Sequence, residues 1–129
     1  MKLPTLWWPT LWWLPFGKVK EIDSEELHKW LMNGHSVQVV DARTGKEFQQ
    51  GTIGDAEFAP LTEMPESMRR LNLDPQRPVV VLCLTGHRSR PGTRWLRARG
   101  FDAYSLKGGV LAWKRAGYSL QMPDNHTEK

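Results

Sequence analysis

The chain has 129 residues, of which 40% are hydrophobic and 25% are charged, proportions typical of one globular domain. They exclude a disordered, a collagen-like and a polytopic membrane protein. Eighteen Lys and Arg residues against 14 Asp and Glu give a formal net charge of +4, which permits an anionic substrate or surface without identifying one. The single cysteine, Cys83, excludes an internal disulfide, and a lone thiol suits a reducing compartment such as the cytoplasm.

The first 17 residues differ from the rest of the chain. Residues 3–16 carry no charge and repeat a Leu-Trp-Trp pattern, with prolines that disfavour a long helix. Because tryptophan is favoured at membrane interfaces, this extension is a candidate for contact with a membrane surface or with a protein partner. In the first case the protein would be peripheral at the membrane. The alternatives are that it folds back onto the domain or is a non-native extension.

From Lys18 onward, predicted strands and helices alternate. The predicted strands cover residues 19–22, 37–40, 57–59, 79–82 and 103–106, and the predicted helices cover residues 24–32, 44–50, 63–71, 89–99 and 110–116. This alternation predicts an α/β fold in which a parallel sheet is covered by helices on both sides. The domain is expected over residues 18–118, followed by a polar tail over residues 119–129 that we expect to fray.

Cys83 lies at the carboxyl end of the predicted strand 79–82, where open α/β sheets place their reactive crevice. Backbone N–H groups of the following loop, residues 84–89, are expected to point toward the thiol, next to a helix N-terminus. Gly86 permits the tight curvature and Arg88 adds a permanent positive charge. We therefore expect Cys83 to ionise readily and to act as a nucleophile. The alternative is a small buried hydrophobic residue, the usual role of a cysteine.

The loop sequence resembles that of a known enzyme family. Cys83-Leu84-Thr85-Gly86-His87-Arg88-Ser89 is similar to the Cys-x-x-Gly-x-Arg-Ser active-site loop of the rhodanese sulfurtransferases. Further similarity follows in the same order along residues 19–118. It includes Asp41-Ala42-Arg43 with Glu47, residues 51–56, where the family's glycine and alanine positions are displaced, and then Gly100-Phe101, residues 106–109 and Trp113. Thr52 stands where the family usually has histidine.

The resemblance implies a rhodanese-like three-layer fold, with about five parallel strands flanked by helices. It also implies that Cys83 takes the outer sulfur of a small anionic donor, such as thiosulfate, and holds it as a persulfide. An external thiol or cyanide would then remove the sulfur, since the chain has no second cysteine. No cofactor or metal is implied.

By the same resemblance, the loop residues Leu84, Thr85, Gly86, His87, Arg88 and Ser89 bind the donor, with Arg88 assisting through its charge. Asp41 and Arg43 would brace the loop through hydrogen bonds and an ion pair. For Arg43 the alternative is a plain surface pair with Glu47, four residues along the chain.

Two rival functions are weighed against this one. Four residues separate Cys83 from Arg88, whereas related cysteine phosphatases have one residue more, which makes room for a phosphate. A cysteine phosphatase or arsenate reductase is therefore less favoured. A non-catalytic rhodanese-like docking module is the other rival, but inactive relatives typically lack the cysteine.

Nucleic acid is not an expected partner, because no recognition motif accompanies the arginines of residues 88–99.

Overall fold

The computed structural model describes residues 19–34 and 36–123 of the chain. The tryptophan-rich segment, for which membrane or partner contact is expected, lies outside the described residues, as do the last six residues of the polar tail. Among the residues that are described, no helix has the length and apolar character that crossing a bilayer requires.

Five parallel strands form one sheet with helices on both faces, which confirms the predicted fold class. The strands are β1 (Glu21–Ile22), β2 (Gln38–Asp41), β3 (Glu57–Phe58), β4 (Val79–Leu82) and β5 (Ala103–Leu106). The helices are α1 (Ser24–Met32), α2 (Gly45–Gln49), α3 (Glu66–Arg69), α4 (Ser89–Ala98) and α5 (Gly109–Arg115). The spatial order of the strands is β1-β5-β4-β2-β3.

Strand β4 lies at the centre of the sheet and is buried along its whole length. Successive side chains of a strand point to opposite faces of the sheet. Val79 and Val81 belong to the core beneath α3 and α4, whereas Val80 and Leu82 belong to the core beneath α1 and α5. The same alternation directs the next odd-numbered residue, Cys83, toward the face that α4 covers.

Helices α1 and α2 each begin at a residue whose side chain caps the helix. Asp23 accepts the backbone N–H of Glu26 at 2.8 Å, which satisfies one of the free N–H groups at the start of α1. Thr44 and Glu47 form a capping box at the start of α2. The second cap also fixes the position of the Glu47 carboxylate, which contacts the candidate active site.

One predicted helix is wrong as a single element. Residues 63–71 were expected to form one helix, but the structure has a 3-10 turn at Leu61–Glu63 and then the short α3. Pro65 separates the two, because a proline lacks a backbone N–H and forces the preceding residue out of the helical conformation. Met64 accordingly has an extended backbone, with ψ at 150°.

The expectation that the tail frays from residue 119 is wrong for residues 119–121. Thr52 and Gln121 pair as an antiparallel bridge, with both backbone hydrogen bonds formed at 2.8 and 2.7 Å. The Trp113 indole N–H donates to the Ser119 carbonyl at 2.9 Å, and the Tyr118 ring stacks on His28 at 4.1 Å. These contacts hold the chain against the domain through Gln121.

Candidate active site

Cys83 follows the central strand directly, at the edge of the sheet where all five strands end. Its Sγ accepts a hydrogen bond from the Gly86 backbone N–H at 3.0 Å, and its thiol donates to Ser89 Oγ at 3.6 Å. The residue is fully buried. The sulfur thus points toward the loop and the start of α4, rather than into the apolar core.

Gly86 has the backbone conformation that this curvature needs. Its φ of +96° is one that side chains with a Cβ rarely adopt. A Cβ on Gly86 would also lie 2.9 Å from the backbone nitrogen of Gly108 and 3.1 Å from the carbonyl oxygen of Leu106. The loop therefore packs backbone against backbone on the segment that follows β5, which presents the Gly86 N–H to the sulfur.

The first turn of α5 holds the other side of the loop. The Val110 N–H donates to the Cys83 carbonyl at 2.9 Å, and the Leu111 N–H donates to the Leu84 carbonyl at 3.0 Å. The first N–H groups of a helix have no partner within the helix, so these two find theirs in the cysteine loop. A Cβ on Gly109 would collide with the same two carbonyl groups.

The remaining loop residues are more open. Thr85 and His87 are exposed, and their Oγ1 and Nδ1 atoms are 3.3 Å apart. Leu84 is half-buried and Ser89 is fully buried. The Gly86 amide donates to the Cys83 sulfur, and donor binding by the loop residues 84–89 stays a prediction.

Glu47 is a functional candidate that the sequence reasoning did not connect to the loop. Arg88 donates to both of its carboxylate oxygens at 3.3 Å, across 41 residues of chain. Burial alone would raise the pKa of Glu47, but hydrogen bonds from the Thr44 backbone and from Arg88 outweigh it and hold the pKa below its usual range. The Arg88 charge at the mouth of the site is therefore partly compensated.

Asp41 and Arg43 form a buried ion pair, not the surface pair considered for Arg43 and Glu47. The Arg43 guanidinium donates to both Asp41 oxygens at 2.8–3.2 Å and to the Gly51 carbonyl at 2.6 Å. The hydroxyl of Thr52 donates to Asp41 at 2.7 Å. These bonds fix the segment after α2 beside the end of β2; the bracing of the cysteine loop by Asp41 and Arg43 stays a prediction.

A second unforeseen residue is Ser105 of β5. Its hydroxyl oxygen lies 2.6 Å from Ser89 Oγ, and both side chains are fully buried. Because β5 pairs with β4 in the register Val81↔Ser105, Ser105 is level with the residue two positions before Cys83, on the same face of the sheet. The sequence did contain an indication of this residue. Ser105 is a polar residue at a position of β5 that the strand alternation predicts to be buried, where an apolar residue would be expected.

A cleft of about 270 Å³ opens beside the loop. Leu84, Leu111 and Leu120 form apolar parts of its wall. Lys114 and Arg43 contribute positive charge, and Glu47 contributes a negative charge. It borders the backbone of the cysteine loop and has the size of a small-molecule subsite.

A family model described as the rhodanese-like domain matches residues 23–116, which is most of the chain. The chain belongs to the rhodanese-like domain family. The matched residues include the cysteine loop, the pair Asp41 and Arg43, and the first turn of α5 that contacts the loop.

Rhodanese-like relatives include proteins named as sulfurtransferases. A sulfurtransferase of Allochromatium vinosum is 37% identical over 107 residues, which cover 82% of this chain and 98% of that protein. A thiosulfate sulfurtransferase of Shewanella oneidensis is 38% identical over 87 residues, which cover 67% of this chain and 84% of that protein. The crystal structure of a rhodanese-like domain protein from Staphylococcus aureus aligns over 81% of this chain with a TM-score of 0.69 and 30% identity. The named relatives support a sulfurtransferase activity.

Proposed function

We propose that this protein transfers a sulfane sulfur from thiosulfate or a persulfide donor to a nucleophilic acceptor, and that Cys83 carries the sulfur as a persulfide. The observation that carries the proposal is the hydrogen bond from the Gly86 N–H to Cys83 Sγ at 3.0 Å. A bond donated to sulfur favours its anionic form, and the N-terminus of α4 adds partial positive charge at the same place.

The first half-reaction loads the cysteine. The Cys83 thiolate attacks the outer sulfur of thiosulfate, a new S–S bond forms, and the S–S bond of thiosulfate breaks. Sulfite leaves with the electron pair of that bond, and the negative charge of the product lies on the terminal sulfur of the persulfide. Arg88 attracts the dianionic donor, an effect that Glu47 moderates and that added salt weakens.

The second half-reaction unloads it. A thiolate or cyanide attacks the terminal sulfur, the persulfide S–S bond breaks, and Cys83 leaves as the thiolate with which the cycle began. Cys83 is the only cysteine of the sequence, so the acceptor comes from outside the chain. The cleft lined by Leu84 and Lys114 is the place we propose for an acceptor that carries an acidic group and an apolar body.

Intact-mass analysis tests the proposal directly. Incubation with thiosulfate should add one sulfur, about 32 Da, to the wild-type protein, and cyanide should remove it again. Cys83→Ser should show no gain. A wild-type protein that stays at its original mass, while it hydrolyses an aryl phosphate, would show that the phosphatase alternative is correct.

A further inference from the structure

Three polar atoms form a buried row behind the active-site loop. They are Cys83 Sγ, Ser89 Oγ and Ser105 Oγ, with separations of 3.6 Å and 2.6 Å. All three residues have no exposed surface. A buried hydroxyl without a partner costs free energy, so the two hydroxyl groups depend on each other and on the sulfur.

The sheet brings Ser105 to this position. Ala103 belongs to the core beneath α4, and the side chain two positions further along β5 lies on the same face. Strand β5 pairs directly with β4, so Ser105 faces the start of α4 together with Cys83. Ser89, the first residue of α4, lies between them.

The number of hydrogen-bonding protons on these three groups determines whether the thiol or the thiolate form of Cys83 satisfies the row. Three atoms in a row have two links. With a thiol, three protons compete for the two links, and one has no acceptor within the row. With a thiolate, the Ser105 hydroxyl donates to Ser89, the Ser89 hydroxyl donates to sulfur, and each proton has its acceptor.

We propose that Ser105 is a positioning residue for the sulfur-transfer reaction, which directs the Ser89 hydroxyl proton toward the sulfur of Cys83 and so favours the nucleophilic thiolate. The proposal rests on the proposed function and deepens it. Ser105 touches neither the donor nor the reacting sulfur; it acts through Ser89. A hydroxyl that accepts a hydrogen bond becomes a stronger donor, so the bond from Ser89 to the anion is strengthened.

Other charged groups surround the loop, and replacing Ser105 leaves all of them in place. They are His87 and Arg88 in the loop and first turn, Glu47 on α2, the pair of Arg90 with Glu21 of β1, the buried pair of Asp41 with Arg43, Lys107 after β5, and Lys114 on α5. A serine-to-alanine change removes one neutral hydroxyl group. A change in the ionisation of Cys83 would therefore come from the hydrogen-bonded row.

The ultraviolet absorbance of the thiolate, followed against pH in the full chain, measures this directly. Cys83→Ser serves as the blank, because it retains every Tyr and Trp residue and removes the one thiol. Ser105→Ala should lower the thiolate fraction at neutral pH by about two- to fourfold, and Ser89→Ala by about tenfold. Ser105→Thr, which keeps a hydroxyl, should resemble the wild type.

A matched control is Ser67→Ala. The Ser67 hydroxyl is also buried, but it donates to the Pro60 carbonyl at 3.0 Å and not to a member of the row, so the thiolate fraction should not change. The double variant Ser89→Ala with Ser105→Ala tests the route. If Ser105 acts through Ser89, the second substitution has no further effect on the thiolate fraction.

Two results would overturn the inference. One is a Ser105→Ala protein with the thiolate fraction of the wild type, and the other is a Ser105→Ala effect that persists undiminished without the Ser89 hydroxyl. Failure of the proposed function looks different. In that case the wild-type protein gains no sulfur from thiosulfate, while the titration of its thiol is still measurable.

Discussion

Gly86 and Gly100 have almost the same backbone angle but different surroundings. Their φ values are +96° and +92°. A Cβ on Gly86 would press against the backbone at Gly108 and Leu106, whereas a Cβ on Gly100 would meet nothing within 4 Å. The pair therefore separates the cost of an unfavourable dihedral angle from the cost of a collision.

We expect Gly100→Ala to lower the free energy of unfolding by about 1 kcal/mol, since only the positive φ opposes it. Gly86→Ala should lower it by about 3 kcal/mol, because backbone atoms also have to move. Urea unfolding measures both. Sulfur gain from thiosulfate should be lost in Gly86→Ala and kept in Gly100→Ala. Equal destabilisation by the two substitutions would contradict the tight packing of the loop.

At the scale of elements, the Glu47–Arg88 pair joins α2 to the start of α4. The lowered pKa of Glu47 means that its contribution to stability is present above the usual glutamate value of 4.5 and is lost as the pH falls through the lower, folded-state value. Glu47→Gln should therefore be less stable than the wild type at neutral pH. The difference should shrink steadily once the pH falls below 4.5.

Denaturant unfolding at several pH values checks this expectation, with Glu63→Gln as the control. Glu63 pairs with Arg70 at 2.9 Å, but both side chains are about 60% exposed, and such pairs contribute at most about 1 kcal/mol. A Glu47→Gln deficit that stays constant from neutral to acid pH would show that the capping role of Glu47, rather than its charge, is what stabilises the domain.

The sequence was sufficient to predict the order of the elements and the place of Cys83 in the fold. The apolar run of β4, the loop glycine and the helix that follows are local features, and local features set where a strand ends and a helix begins. Pro65 was equally local, and its break in the predicted helix was readable from the sequence. The position of Cys83 at the carboxyl edge follows from the parallel sheet alone.

Contacts across the sheet were beyond this reasoning. Glu47 and Arg88 are 41 residues apart, and Ser89 and Ser105 are 16 apart. Whether such residues meet depends on which strands are neighbours and in which register, and hydrophobic periodicity does not encode the order β5-β4-β2. The two unforeseen residues of the site are therefore those whose positions depend on the sheet order.

For the whole molecule, the uncharged, tryptophan-rich segment of residues 3–16 belongs to a chain with a formal net charge of +4. We expect the full chain to float with anionic lipid vesicles, because indole rings partition into the interface and basic residues are attracted to it. A chain that starts at Lys18 should remain largely unbound. Equal flotation of the two would exclude membrane contact as the role of the segment, and would leave protein contact, folding back onto the domain and a non-native extension as the alternatives.

Cys83 is completely buried, so a cysteine that carried an extra sulfur would need more room than the unmodified residue does. In the proposed persulfide, the outer sulfur would be one more atom at this buried position, beside a loop whose backbone already packs closely on Leu106 and Gly108, so we expect loading to shift neighbouring groups. We therefore expect the loaded and the unloaded protein to differ in the loop surface around the exposed Thr85 and His87. An acceptor protein that bound this surface would then be able to distinguish the sulfur-loaded protein from the unloaded one before any sulfur is transferred.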